Sequence, residues 1–299
     1  MNLNIVKYKY VYLGISLSLV IIAIFFLIIW GVKLGIDFTG GTTFMYKDKN
    51  INLVNVQSFL SKSYPGSSIT TIGTNIYQVQ TPPLNQITLK TLQFNLAKQF
   101  KLNSPEKTST IGPTIGTQLT KDAIYSVIVV ILGIIIYIAW AFRSVPKPAN
   151  SIIFGGSAVI AMIHDVIVVF GAFAILGHFF DAPVDSLFVT AVLTVIGFSV
   201  HDTIVVFDRI RENLVKKKYP TLKETINKSL IQTFNRSLNT SFTVLLVLSA
   251  LFLLGGITIR WFAVALLIGI FSGTYSSIFV ASQLLVVFAD LKEEKRHSK

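Results

Sequence analysis

The chain contains no cysteine. That excludes disulfides, thiolate metal sites and cysteine nucleophiles, and it says nothing about compartment. Charge is scarce as well: 13% of residues are Asp, Glu, Lys or Arg, against 52% apolar. A soluble domain carries about 25% charged residues, so the composition points to a polytopic membrane protein. Acids are the scarcer sign, 14 against 26 basic residues, and the net charge is +12. No GxGxxG or P-loop pattern occurs, and Gly40-Gly41 opens no helix with phosphate-binding spacing. Nucleotide hydrolysis on those frameworks is excluded. No dense cluster of histidines and acids suggests a catalytic or metal centre, so neither an enzyme nor a cofactor is expected.

What is present is a set of long apolar runs. A helix needs about 20 residues to cross the hydrocarbon core. Six stretches qualify: Val11 to Trp30, Asp122 to Arg143, about Ser151 to Leu176, about Leu187 to Phe207, Arg236 to Arg260, and Arg260 to Asp290. The last is long enough to require tilt or a buried extension. The first has no small-residue cleavage site after it and reads as a retained anchor. With the N-terminus inside, the cytoplasmic segments hold Lys7, Lys9, Arg143, Lys147, a cluster from Arg209 to Arg236, and Lys292, Lys295, Arg296 and Lys299. The opposite side has Lys33, Lys121 and Arg260 near span ends. The positive-inside rule then places both termini in the cytoplasm. The basic bias is accounted for by topology and contact with anionic lipid, with no call for nucleic acid.

The resulting organisation is a first helix within residues 1–34, an extracytoplasmic domain over 35–120, helices two to six over 121–290, and a basic tail over 291–299. The cytoplasmic stretch 208–235 has amphipathic helical character, broken at Tyr219-Pro220, and is expected at the interface. Within the outer segment, FTGGTTFMYK alternates like a strand and NLVNVQSFLSKSY has helical spacing. ITTIGTNIYQVQT reads as a hairpin, and NQITLKTLQFNLAKQF is again helical. The order predicts a small α+β domain, ferredoxin-like.

Ionisable residues inside spans are costly and functional by default. The candidates are Asp165, Asp202 and Arg236, with His164 and His201 directly before the two acids. Asp202 falls below the membrane middle, and Asp165 nearer the outer half. Asp202 reads either as a proton-binding carboxylate or as packing glue. Arg236 reads equally as a snorkelling base or as the counter-charge of Asp202. Adjacent helix positions face about 100° apart, so His164 with Asp165, or His201 with Asp202, should not form one site. Gly197, Gly269 and Gly273 are spaced for close helix contact.

Several segments together resemble the SecF family, the smaller of the paired SecD/SecF subunits of bacterial protein export. GIDFTGG brings Gly35, Asp37, Gly40 and Gly41; IGPTIG brings Gly112, Pro113 and Gly116. IHDVIVVFGAFAILG, VIGFSVHDTIVVFDRIREN, SLNTSFTVLLVLSALFLLGG and GIFSGTYSSIFVA complete the set in order. The resemblance implies an RND-type membrane fold, a SecD-like partner, the SecYEG channel and unfolded preprotein as substrate. It also implies use of the proton motive force, with ion coupling at Asp202 and Arg236. Asp165 joins them as a less certain site, and His201 as a modifier where many relatives carry Asn. The alternatives are an RND-type exporter of small molecules or lipids, and a non-transporting assembly subunit.

Overall fold

The computed structural model describes residues 4–48, 51–73, 75–143, 145–146 and 150–297, with side chains through Leu291. Lys147 and Lys299, counted above among the basic flanks, lie outside the described residues, as do the side chains of Lys292, Lys295 and Arg296.

A 3₁₀ turn, Ile5–Tyr8, leads into helix α1, Lys9–Trp30. A four-residue helix α2 (Ile36–Thr39) precedes strand β1 (Gly41–Lys47), helix α3 (Leu53–Ser63), the strands β2 (Ser68–Gly73) and β3 (Ile76–Thr81), helix α4 (Gln86–Phe100) and strand β4 (Lys107–Ile111). Long helices follow: α5 (Pro113–Ala141), α6 (Ser151–Phe180), α7 (Ser186–Val215), α8 (Leu222–Leu254) and α9 (Ile257–Ser276). A π turn, Ser277–Ala281, joins α9 directly to α10, Ser282–His297. Among the described residues, six helical stretches are long and apolar enough to cross a membrane: Ile5–Trp30, α5, α6, α7, α8, and Ile257–Leu291.

The chain divides into two compact units. A helical unit takes the residues up to Val32, Val127–Phe179 and those from Thr190 on; a sheet unit takes Lys33–Ser126 and Phe180–Val189.

In the sheet unit the strands are all antiparallel in the order β2-β3-β1-β4. With α3 and α4 this is the ferredoxin-like arrangement that the sequence predicts. Alternation along the strands sends Phe44, Tyr46, Ile69 and Val79 to one face. There they pack on Val56 and Leu60 of α3 and Leu92 and Leu96 of α4. Asn52 and Asn85 cap the two helices, accepting from the N–H groups of Asn55 and Thr88. The sequence predicts no strand after α4. KTSTI lacks apolar alternation because β4 is an edge strand whose residues are exposed or half-buried. FTGGTTFMYK divides too: its first residues belong to α2, and the strand starts at Gly41.

The glycine motifs mark close backbone contacts. Gly41 sits at φ +134°, and a Cβ there would lie 2.2 Å from the Thr81 carbonyl oxygen. A Cβ on Gly40 would meet Pro113 Cα at 3.2 Å, and one on Gly116 would meet Gly40 N at 3.0 Å. GIDFTGG and IGPTIG are therefore two sides of one contact. Gly112 has nothing within 4 Å.

In the helical unit α1 and α5 expose most of their apolar side chains, while α6, α7 and α9 carry the buried residues. A Cβ on Gly171 of α6 would lie 2.3 Å from Ala23 Cβ of α1. Seven residues on, the Trp30 ring stacks on His178 at 4.2 Å between centroids. Thr221 and Glu224 hold capping-box positions at the start of α8, with the Thr221 hydroxyl accepting from the Glu224 N–H. Asp290 of α10 pairs with Lys9 at 2.6 Å and Lys223 at 3.0 Å, tying three helix ends together. The segment 208–235 is built from the ends of α7 and α8, with 216–221 between them.

Candidate functional site

Asp165 is 1% exposed and lies at the centre of a polar cluster. The Ser272 hydroxyl donates to its Oδ1 at 2.7 Å. Ser199 and Ser276 donate to Oδ2 at 2.5 and 2.6 Å. His164 Nδ1 lies 3.0 Å from Oδ1. His164 and Asp165 were not expected to act as one bidentate site, and their side chains do meet each other. Their Cβ directions diverge, but both side chains reach back to the same point. Three helices thus supply one site: α6 the acid and imidazole, α7 Ser199, α9 two serines one turn apart.

Asp202 is 7% exposed. Its Oδ1 accepts from the Ser237 hydroxyl of α8 at 2.6 Å, and its Oδ2 has no partner among the described residues. The neighbouring Thr203 hydroxyl bonds the Ser277 hydroxyl at 2.9 Å. Ser276 therefore serves Asp165 while Ser277 meets the residue next to Asp202. Ser199, which meets Asp165, and Asp202 are three residues apart on α7, so the surroundings of the two acids are about one helical turn apart along that helix, with Asp165's the nearer to its start.

Arg236 lies on the exposed side of α8, and no acid stands within ion-pair distance of it among the described residues. Ser237 hydrogen-bonds Asp202, and the Arg236 charge acts on the same acid from beyond ion-pair distance. Arg236, Asn239, Thr240 and Thr243 follow the i, i+3, i+4, i+7 rule and are all exposed. His201 of α7 is exposed too.

The glycines separate in role. A Cβ on Gly269 would strike Val195 Cγ2 at 2.1 Å, and one on Gly273 would lie 3.1 Å from Ser199 Cβ and 3.6 Å from Asp165 Oδ2. These two let α9 approach α7 and bring its serines to the acid. Gly197 is corrected: it is exposed, and none of the described residues lies within 4 Å of a Cβ placed there. Its Cα points away from α9, whose contacts fall on Val195 and Ser199. Gly171, which sequence spacing did not single out, makes the close contact with α1. The serines were the larger omission. Ser272 and Ser276 stand inside GIFSGTYSS, where glycine spacing drew the eye from hydroxyls in an apolar span.

In the sheet unit, Asp37 accepts from the Ser186 N–H at 3.0 Å and from the Ser186 hydroxyl. Asp185 caps α7 by accepting from the Phe188 N–H at 2.8 Å. Burial pushes the Asp185 carboxyl above its ordinary range, and the Asp37 charge nearby adds to the rise. Gly35 leaves room for this junction: its N–H donates to the Val184 carbonyl at 2.8 Å, and a Cβ would lie 3.1 Å from Asp185 Cβ. Among the described residues no group of three or more His, Asp or Glu is placed to hold a metal ion.

Residues 90–291 match the family described as "Protein export membrane protein SecD/SecF, C-terminal". The chain is 42% identical to the protein translocase subunit SecF of Thermobaculum terrenum, over 95% of this chain and 93% of that one. It is 39% identical to the SecF subunit of Anaerolinea thermophila, over 96% and 94%. The crystal structure of SecDF from Thermus thermophilus superposes with a TM-score of 0.86 at 33% identity, over 96% of this chain. The match spans only 39% of that longer chain. The six apolar helices and this likeness make the chain a multi-pass membrane protein, and it belongs to the SecF family of protein translocase subunits.

Proposed function

We propose that the chain works as the SecF half of a SecD/SecF pair in the cytoplasmic membrane, coupling the proton motive force to late preprotein translocation beside a SecYEG-type channel. The observation that carries this is Asp202, a carboxyl group within a span with one oxygen held by Ser237, the other without a close hydrogen bond among the described residues, and the Ser277 hydroxyl nearby. An acid so placed takes up and releases a proton with little rearrangement of its surroundings. One charge moving through about 100 mV yields about 2.3 kcal/mol. A few such steps bias a two-state motion of helices usefully.

The exposed polar stripe of α8 supports a partner. An arginine facing hydrocarbon costs about 2.5–3.5 kcal/mol on insertion scales. A neighbouring subunit with hydrogen-bond acceptors or a carboxylate would remove that cost. The Thermus relative, 35% identical over 90% of this chain, is named SecDF and is much longer. This fits a SecD-type half as the partner.

Co-purification with SecD and channel subunits tests the assembly. Proton flux and export in vesicles test the coupling. Asp202→Asn should assemble normally, lose proton flux, and lose the part of export that uncouplers abolish. Undiminished flux and export would remove Asp202 from the mechanism.

A further inference from the structure

Some buried side-chain atoms of the helical unit have no hydrogen-bond partner among the described residues, Ser16 Oγ of α1 and Ser157 Oγ and His164 Nε2 of α6 among them, and helix register sets these three on the seam between α1 and α6. Their residues are 4%, 0% and 6% exposed. The seam has a fixed register. Ala23 lies against Gly171, and Trp30 stacks on His178. Both pairs are 148 positions apart, so α1 and α6 run parallel. One heptad back, the same offset sets Ser16 level with His164. A second heptad sets Lys9 level with Ser157, at the end where Lys9 and Lys223 meet Asp290. Buried polar atoms are rarely left unsatisfied, and ordered water is their usual partner where protein supplies none.

The geometry points to His164 and Asp165 as a second proton-binding site, reached from the basic end of the helical unit by a file of water along Ser157 and Ser16. It rests on the proton-coupling reading of Asp202. The tautomer follows from the contacts. With Nδ1–H donated to Asp165, the free Nε2 is an acceptor. Once Asp165 is protonated, its O–H donates to Nδ1 and the ring carries its own hydrogen on Nε2. The acid gives its proton to Nδ1, the imidazolium gives its Nε2 proton to a water of the file, which becomes hydronium, and the carboxylate and the Nδ1–H tautomer are restored; this is the inward direction that the proton motive force drives. The neutral acid accepts the Ser199, Ser272 and Ser276 hydroxyls more weakly than the carboxylate does, because hydrogen bonds to a charged acceptor are about twice as strong. Ser199 is one turn from Asp202 on α7, and Ser276 adjoins Ser277, which bonds Thr203. Protonation at Asp165 is thereby felt at Asp202.

The titratable and charged groups around the site are His164 on α6, His201 and Asp202 on α7, and Arg236 on α8. α9 and the π turn present hydroxyls, and α1 presents Ser16, with Lys9 two turns below it and paired to Asp290 of α10. The donors are hydroxyl and imidazole hydrogens directed at the acid, an arrangement for a proton and not for a metal ion.

The test uses the complex with its SecD-type partner in vesicles, reading proton flux and the infrared stretch of protonated carboxyl groups during a pH titration. Asp165→Asn should delete one carboxyl band, distinct from the band lost in Asp202→Asn, and lower flux by about 100-fold, the low end for a positioned acid–base group. Ser16→Val, which closes the file without touching the acid, should keep both bands and lose most of the flux. Wild-type flux in Asp165→Asn, or no band lost, would overturn the site. Were Asp165→Asn not to assemble, wild-type flux in Ser16→Val would overturn it alone. Flux abolished by Asp202→Asn but untouched by the other variants defeats this inference only. Flux untouched by Asp202→Asn defeats the coupling reading itself.

Discussion

Gly171→Ala should loosen the helical unit through a single added carbon. That carbon would sit 2.3 Å from Ala23 Cβ and 2.5 Å from Ala23 Cα. Carbons rest at about 3.5–4.0 Å, so α1 must retreat by roughly 1.5 Å. No rotamer relieves the clash, because the atoms struck are backbone and Cβ. Gly→Ala in a helix gains about 0.5–1 kcal/mol from the backbone. Overpacking costs about 1–3 kcal/mol. With a backbone neighbour the upper end applies, and the net loss is about 2 kcal/mol. Ala23→Gly in the same chain removes the nearest contact but leaves the one to Ala23 Cα. It should rescue part of the loss, with a coupling energy of about 1 kcal/mol. Unfolding in mixed detergent, followed by tryptophan fluorescence, reads this well because Trp30 stacks on His178 in the same seam. Wild-type stability in Gly171→Ala, or a loss unaffected by Ala23→Gly, would refute the packing and with it the register that sets Ser16 beside His164.

Two further outcomes concern the sheet unit. Asp185 has its carboxyl pushed up by burial and by Asp37, so the folded state holds its proton to higher pH than the unfolded state. Stability is then lost as pH rises from about 3.9, the unfolded value, through the folded value. Asp185→Asn keeps the cap on Phe188 N–H, so it should melt above wild type at neutral pH, with the gap closing as pH falls towards about 4. A constant gap across a pH-dependent melting series would refute the assignment. Tyr46 is buried, its hydroxyl has no partner among the described residues, and its pKa is raised to about 12 by burial. Tyr46→Phe should leave stability unchanged or raise it by up to about 1 kcal/mol. In an ultraviolet titration it should remove a tyrosinate signal seen only near that pH; a signal lost near pH 10 would refute the burial.

Hydropathy was sufficient to read the spans, because lipid imposes length and apolarity on each helix separately. The sheet unit was legible where both faces differ, as in ITTIGTNIYQVQT, and illegible at KTSTI, where an edge strand has no apolar face to alternate. The acids announced themselves by being in the wrong solvent. Their partners did not. Ser199, Ser237, Ser272 and Ser276 are small enough to pass as packing residues, and serine in an apolar run costs too little to stand out. The relative depth of the acids was legible only coarsely. Counting residues from loop ends gives a position along one helix, whereas the level of Asp165 against Asp202 is fixed by α9, which touches both neighbourhoods at once.

The π turn explains why that one helix can do so. Widening the ladder to i+5 frees backbone carbonyls that a regular helix would bond. Here Ser282 donates to the Ser277 carbonyl at 3.1 Å, and Gln283 donates to the Ile278 carbonyl at 3.5 Å. Ser282 and the amide nitrogen of Gln283, both fully buried, are thus accounted for by the backbone, while Gln283 Oε1 has no partner among the described residues. The Ser277 hydroxyl is satisfied within its own helix by the Gly273 carbonyl at 2.8 Å, yet still reaches Thr203. Consecutive residues on a helix face about 100° apart. Ser276 meets Asp165 of α6 while Ser277 meets Thr203 of α7, so one end of α9 contacts both helices that carry the acids.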